Sequence, residues 1–108
     1  MKIENKLCLD ILNTFKDQDN IASATIVGSI LDKTIDQISD IDIVVILYKL
    51  NSSEIENINN KLLSLEPSNY NLKKTFQVND TFGPLKFDDE DTLVFHLMIY
   101  DVESHINH

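Results

Sequence analysis

Apolar residues recur every four positions at Ile3, Leu7, Ile11 and Phe15, with Leu12 beside them. That single stripe predicts an amphipathic helix over residues 3–18, ended by Asp17, Asp19 and Asn20. The period then shortens. Residues 23–28, Ser-Ala-Thr-Ile-Val-Gly, predict a short strand that Gly28 breaks. Residues 29–39 alternate weakly and hold Asp32, Lys33, Asp36 and Gln37, the pattern of a turn or short helix followed by a loop. Residues 41–48 form the strongest strand pattern in the chain. They are β-branched and apolar on both faces beyond Asp42, which predicts a central strand covered on both sides.

A second helix is predicted over 53–65 from the stripe Ile55, Ile58, Leu62 and Leu65. Ser53 and Glu56 stand at capping-box spacing, and Pro67 follows where a helix should stop. Residues 70–79 set Tyr70, Leu72, Thr75, Phe76 and Val78 among Lys and Asn, as an edge strand would. Gly83-Pro84 marks a turn, 85–87 a short strand, and Asp88-Asp89-Glu90-Asp91 a solvated loop. Residues 92–100 predict a second strong strand whose polar interior residue is His96. Residues 101–108 carry no pattern, and no internal repeat is visible.

The order helix, strand, strand, helix, strand, strand predicts an α+β fold: one mixed β-sheet with helices packed on it. About a dozen residues separate the first two strands, enough for a tight crossover or a wide hairpin, so their relative direction stays open. A length of 108 residues predicts a single domain, 1–108, either alone or as the N-terminal part of a longer protein.

Charge narrows the function classes. The net charge is −9, and every basic residue is Lys. Nucleic-acid binders draw affinity from Lys and Arg that neutralise phosphates, so this balance argues against DNA or RNA as partner. A nucleotide bound here would rely on a divalent cation, on backbone N–H groups, or on a second polypeptide. The lone Cys8 excludes an internal disulfide and falls in the helical pattern, where it reads as a small buried hydrophobe. No apolar run approaches the ~20 residues of a membrane helix, and no secretory leader is visible. The expectation is a soluble, cytoplasmic protein without membrane contact.

The chemistry concentrates between Gly28-Ser29 and Asp40-Ile41-Asp42-Ile43. Residues two apart in a strand share a face, so Asp40 and Asp42 project together while Ile41 and Ile43 enter the layer behind. Alone, such a pair reads as solvated strand-entry residues. Placed after a strand and a Gly-Ser turn, and before an apolar strand, it reads differently. Like charges held together repel, and a magnesium ion shared between them removes the conflict. A glycine in the turn lets backbone approach a phosphate, and the Ser29 hydroxyl and exposed N–H groups can bind its oxygens.

The segment Thr25-Ile26-Val27-Gly28-Ser29, followed by Ser39-Asp40-Ile41-Asp42-Ile43-Val44-Val45, resembles the signature of the polymerase-beta-like nucleotidyltransferase superfamily. The likeness covers roughly residues 23–47, and the flanking elements agree with that family's minimal core. The resemblance implies the nucleotidyltransferase fold. It implies Gly28 and Ser29 as nucleotide-binding, with Lys33 as the one basic residue placed to join them. It implies Asp40 and Asp42 as ligands of two Mg2+ ions, with a nucleoside triphosphate such as ATP as substrate. The family usually carries a third carboxylate on a later strand; here the strand at 92–100 offers His96, as metal ligand or general base.

Magnesium-dependent transfer of a nucleoside monophosphate from NTP to a hydroxyl on a small molecule or protein is therefore the expected function. The alternatives are a catalytically silent module of the same fold, or one half of a two-protein, toxin–antitoxin-like system. Lys73-Lys74 reads as a solvated strand edge, and His105 and His108 as a frayed tail.

Overall fold

In the computed structural model, residues 2–16, 18–28, 33–80 and 91–102 are described. Ser29, the Gly83-Pro84 turn, the short strand expected at 85–87, Asp88 to Glu90, His105 and His108 lie outside them. Helix α1 spans Ile3–Phe15 and helix α2 spans Ser52–Leu63; the strands are β1 (Ile21–Val27), β2 (Asp40–Leu47), β3 (Thr75–Asp80) and β4 (Thr92–Asp101). Single 3-10 turns occur at Ile35–Gln37 and Pro67–Tyr70. The expected element order is the observed one, and the fold class is α+β.

The sheet runs β1-β2-β4-β3. β1 pairs antiparallel with β2, which settles the direction left open by connection length. β2 and β3 both pair parallel with β4, so the sheet is mixed and β3 lies at an edge as expected. Parallel neighbours need crossovers. Here α2 makes the long return from β2 toward the far side of the sheet.

The core lies between the helices and one face of the sheet. Leu7, Ile11 and Phe15 of α1 and Ile55, Ile58 and Leu62 of α2 are buried against Ile41, Ile43, Val45 and Leu47 of β2 and Leu93, Phe95, Leu97 and Ile99 of β4. Both helical stripes read from the sequence are these faces. Phe95 stacks edge-on to Phe76 with ring centroids 5.0 Å apart. The Tyr70 hydroxyl donates to Asp10 Oδ2 at 2.6 Å, tying the Pro67–Tyr70 turn to α1. Burial first, and then the Asp10 carboxylate, push the Tyr70 phenol well above its ordinary range.

Several expectations are corrected. Helix α1 stops at Phe15, before the polar residues read as its end. The α2 cap is Asn51, whose side chain accepts from the Ser53 and Glu54 N–H groups, so Ser53 lies inside the helix. The edge strand starts at Thr75, because Pro67 to Tyr70 coil into a turn and Asn71 takes a left-handed φ of 58°. β2 is central by position, yet among the described residues only one of its faces packs on helices α1 and α2; Val44 and Ile46 on the other face are half-buried. No described helix is long and apolar enough to cross a membrane.

Candidate active site

The open face of the sheet carries the polar residues that alternation hides from the core. Along β2 the burial pattern starts exposed, buried, half-buried, buried, which puts Asp40 and Asp42 on the open face and Ile41 and Ile43 beneath. On β4, His96 is the register partner of Asp42. The parallel pairing therefore delivers an imidazole beside the carboxylate pair. Asp40, Asp42 and His96 each present a ligand atom such that all three lie within 4.8 Å of one another. His96 Nε2 stands 3.7 Å from Asp40 Oδ2, longer than a hydrogen bond. Among the described residues the Asp42 carboxylate has no hydrogen bond or ion pair to hold it.

The entry to β2 is anchored at two points. Val94 N–H of β4 donates to the Ser39 carbonyl at 3.0 Å, and Lys74 Nζ donates to the Ile38 carbonyl at 2.9 Å. Lys74 is thus half-buried and bound, while Lys73 is exposed; the reading of both as a solvated edge holds only for Lys73. Sequence offered no signal for this contact, since the partner carbonyl lies far along the chain. Ser39 Oγ stands 3.5 Å from Asp40 Oδ1.

Gly28 ends β1 with φ +96°, a conformation that L side chains rarely adopt, and open space lies where a Cβ would stand. Gly28 also lines a cavity of about 190 Å³, together with Val27, Lys33, Ile38, Asp40, Ile41 and Asp42. Four of the residues singled out in the sequence meet there: Gly28, Lys33, Asp40 and Asp42. The volume is below the ~300–1,000 Å³ of a pocket that swallows a drug-sized ligand.

A model of the family described as Polymerase beta, Nucleotidyltransferase matches residues 10–94. The chain belongs to this family. No curated protein and no solved structure matches it. In this nucleotidyltransferase domain the matched span takes in Gly28, Ser29, Lys33, Asp40 and Asp42 and ends just before His96. The imidazole at the carboxylate pair is therefore a feature of this chain that the family match leaves untouched.

The other acids of the late strands stand elsewhere. Asp101 pairs with Leu47, five residues along β2 from the Asp42–His96 row, or about 17 Å at strand rise. Asp80 pairs with Leu97 and accepts from Asn59 Nδ2 at 2.8 Å, on the helix side. Cys8 is half-buried, and burial, then Glu4, push its thiol up from the ordinary value. A raised pKa suppresses the thiolate, which agrees with a packing role.

Proposed function

We propose that the domain transfers a nucleoside monophosphate from a nucleoside triphosphate to a hydroxyl on a small molecule or protein, with a divalent cation. The observation that carries this reading is the convergence of Gly28, Lys33, Asp40 and Asp42 on one cavity, within a chain of the nucleotidyltransferase family. Asp40 and Asp42 would hold the cation, and the donor set fits: two carboxylates and an imidazole within 4.8 Å. Such a cation offsets phosphate charge and polarises the α-phosphate for in-line attack.

The chain's own groups position the rest. Gly28, with no Cβ, lets a triphosphate oxygen approach the backbone. The hydroxyl of Ser29 follows in sequence, and Lys33 lines the same cavity, where its ammonium would meet phosphate charge. His96 has one of two tasks, to hold the cation or to take the proton of the attacking hydroxyl. Magnesium and ATP are the first choices by family resemblance. The −9 charge keeps nucleic acid out of the reading, and a cytoplasmic setting, where both are plentiful, belongs to it.

Isothermal titration of magnesium with each nucleoside triphosphate into wild type and Asp42→Asn tests this. Magnesium-dependent binding that disappears in the variant is expected. Absence of binding by the wild type would sink the self-sufficient enzyme. One observation favours a second reading in that event, a domain completed by a protein partner. The open face beside the site holds half-buried Val44, Ile46 and Met98 and a 48 % exposed Tyr100, more apolar surface than a solvated sheet face needs.

A further inference from the structure

We infer that the site holds one first-row transition-metal ion through Asp40, Asp42 and His96, in preference to a pair of magnesium ions. This rests on the reading of the carboxylate pair as a cation site. It goes beyond that reading in the metal's class, in the number of ions bound without nucleotide, and in the task of His96.

Geometry makes His96 a ligand. It is locked into register with Asp42 by the β2–β4 ladder, so its place is set by backbone pairing, not by a movable loop. Its Nε2 stands 3.7 Å from Asp40 Oδ2, without the hydrogen bond that would mark it as the simple partner of that carboxylate. Two donors each about 2.1 Å from a common ion lie about 3.0 to 3.4 Å apart when adjacent in an octahedron or tetrahedron. The observed 3.7 Å is within a small side-chain rotation of that range.

Donor chemistry sets the metal. Magnesium takes oxygen ligands and gives up water reluctantly, whereas imidazole nitrogen suits the first-row transition ions. A site of two carboxylates and one imidazole therefore shifts the preference from magnesium toward ions that accept both oxygen and nitrogen. Donor charge sets the number. Two ions about 3.5–4 Å apart, as in two-metal sites, bring four positive charges. Among the described residues the cluster supplies two carboxylates and no third acid, Asp101 and Asp80 being engaged elsewhere on the sheet. One ion balances the pair. It leaves about three of six octahedral positions for phosphate oxygens and water.

Pulsed electron paramagnetic resonance of Mn2+ bound to the full chain, without nucleotide, reads the coordination directly. The wild type is expected to bind one Mn2+ at the Asp42-dependent site and to show 14N modulation from a directly bound imidazole. That modulation should change to the 15N pattern when the protein is grown on 15N-histidine, a readout that needs no variant. It should vanish in His96→Gln, which keeps His105 and His108. Competition titration should show Mn2+ preferred over Mg2+ by more than tenfold in the wild type, with the preference shrinking by about tenfold in His96→Asp.

Two results overturn the inference. One is Mn2+ bound at an Asp42-dependent site without nitrogen modulation, or with modulation that survives His96→Gln; the cation site itself then stands. The other is no Asp42-dependent binding of either ion, which removes the cation reading as well.

Discussion

The two faces of one sheet divide the labour between stability and chemistry, residue by residue along the same two strands. On β2, Ile41, Ile43, Val45 and Leu47 are buried under the helices while Asp40, Asp42, Val44 and Ile46 look the other way. On β4, Phe95 is fully buried and its neighbour His96 stands beside Asp42. Adjacent residues thus sit in opposite environments, and period-two alternation alone assigns them. The hydrophobic face fixes the register, because a slip of one residue would turn every core side chain outward. The polar face inherits that precision without contributing to it. The carboxylates and imidazole meet because Ile41, Ile43, Phe95 and Leu97 pack.

Breaking the covered face should therefore have the largest effect. Phe95→Ala removes a fully buried ring in contact with Phe76. It is expected to cost about 3–5 kcal/mol in urea unfolding, much of the stability of a domain this size, where ~5–15 kcal/mol is usual. A loss under about 1 kcal/mol would show that the core is not where the packing puts it.

The open face should behave in the opposite sense. Asp42→Asn is expected to weaken cation-supported nucleotide binding more than about a hundredfold, since even groups that only support a metal ligand are worth 10–100-fold. The same variant should unfold at wild-type denaturant concentration or slightly above, because it relieves like-charge repulsion with Asp40. A variant that unfolds easily and still binds would reverse the assignment of the two faces.

Two smaller changes on the helix layer sharpen the contrast. Tyr70→Phe loses the hydrogen bond to Asp10 and should cost about 1.5 kcal/mol, leaving metal binding unchanged. The fold favours the neutral phenol, so that stability is present below the unfolded tyrosine value of about 10 and lost as pH rises through the higher folded value. Unfolding experiments at rising alkaline pH should show this loss in wild type and not in the variant. Asn51→Ala removes the α2 cap and should cost about 1 kcal/mol, measured the same way.

Much of this division was legible in the sequence. Stripes at Ile3, Leu7, Ile11, Phe15 and at Ile55, Ile58, Leu62 specify helical faces, and Asp-Ile-Asp-Ile on a strand specifies opposite directions for acid and isoleucine. Gly28, Asp40 and Asp42 could be paired as candidates by spacing and strand context, Lys33 joined them through the family resemblance, and all four line one cavity. What stayed hidden depends on long-range pairing. The pattern of 41–48 was apolar on both faces, yet Val44 and Ile46 lie on the face away from helices α1 and α2, because periodicity reports hydrophobicity and not which layer is present to cover it. The placement of His96 opposite Asp42 follows from a parallel ladder that skips β3 in sequence, and no local signal encodes strand order. Lys74 at the Ile38 carbonyl, and Asn51 in place of Ser53 at the cap, were decided by backbone geometry between alternatives that local sequence allowed equally.

The central claim is that the cation binds on the open face and nowhere else with comparable affinity. Substoichiometric Mn2+ added to 15N-labelled protein tests it, because a paramagnetic ion broadens amide resonances only near where it sits. Loss of signal that is greatest at Gly28, Asp40 to Asp42 and Val94 to Leu97 and falls off with distance from them is the predicted result. Broadening that spreads evenly over the other acidic surfaces, Asp19, Glu54 and Glu56 among them, would mean that the ion follows net charge and would contradict the account.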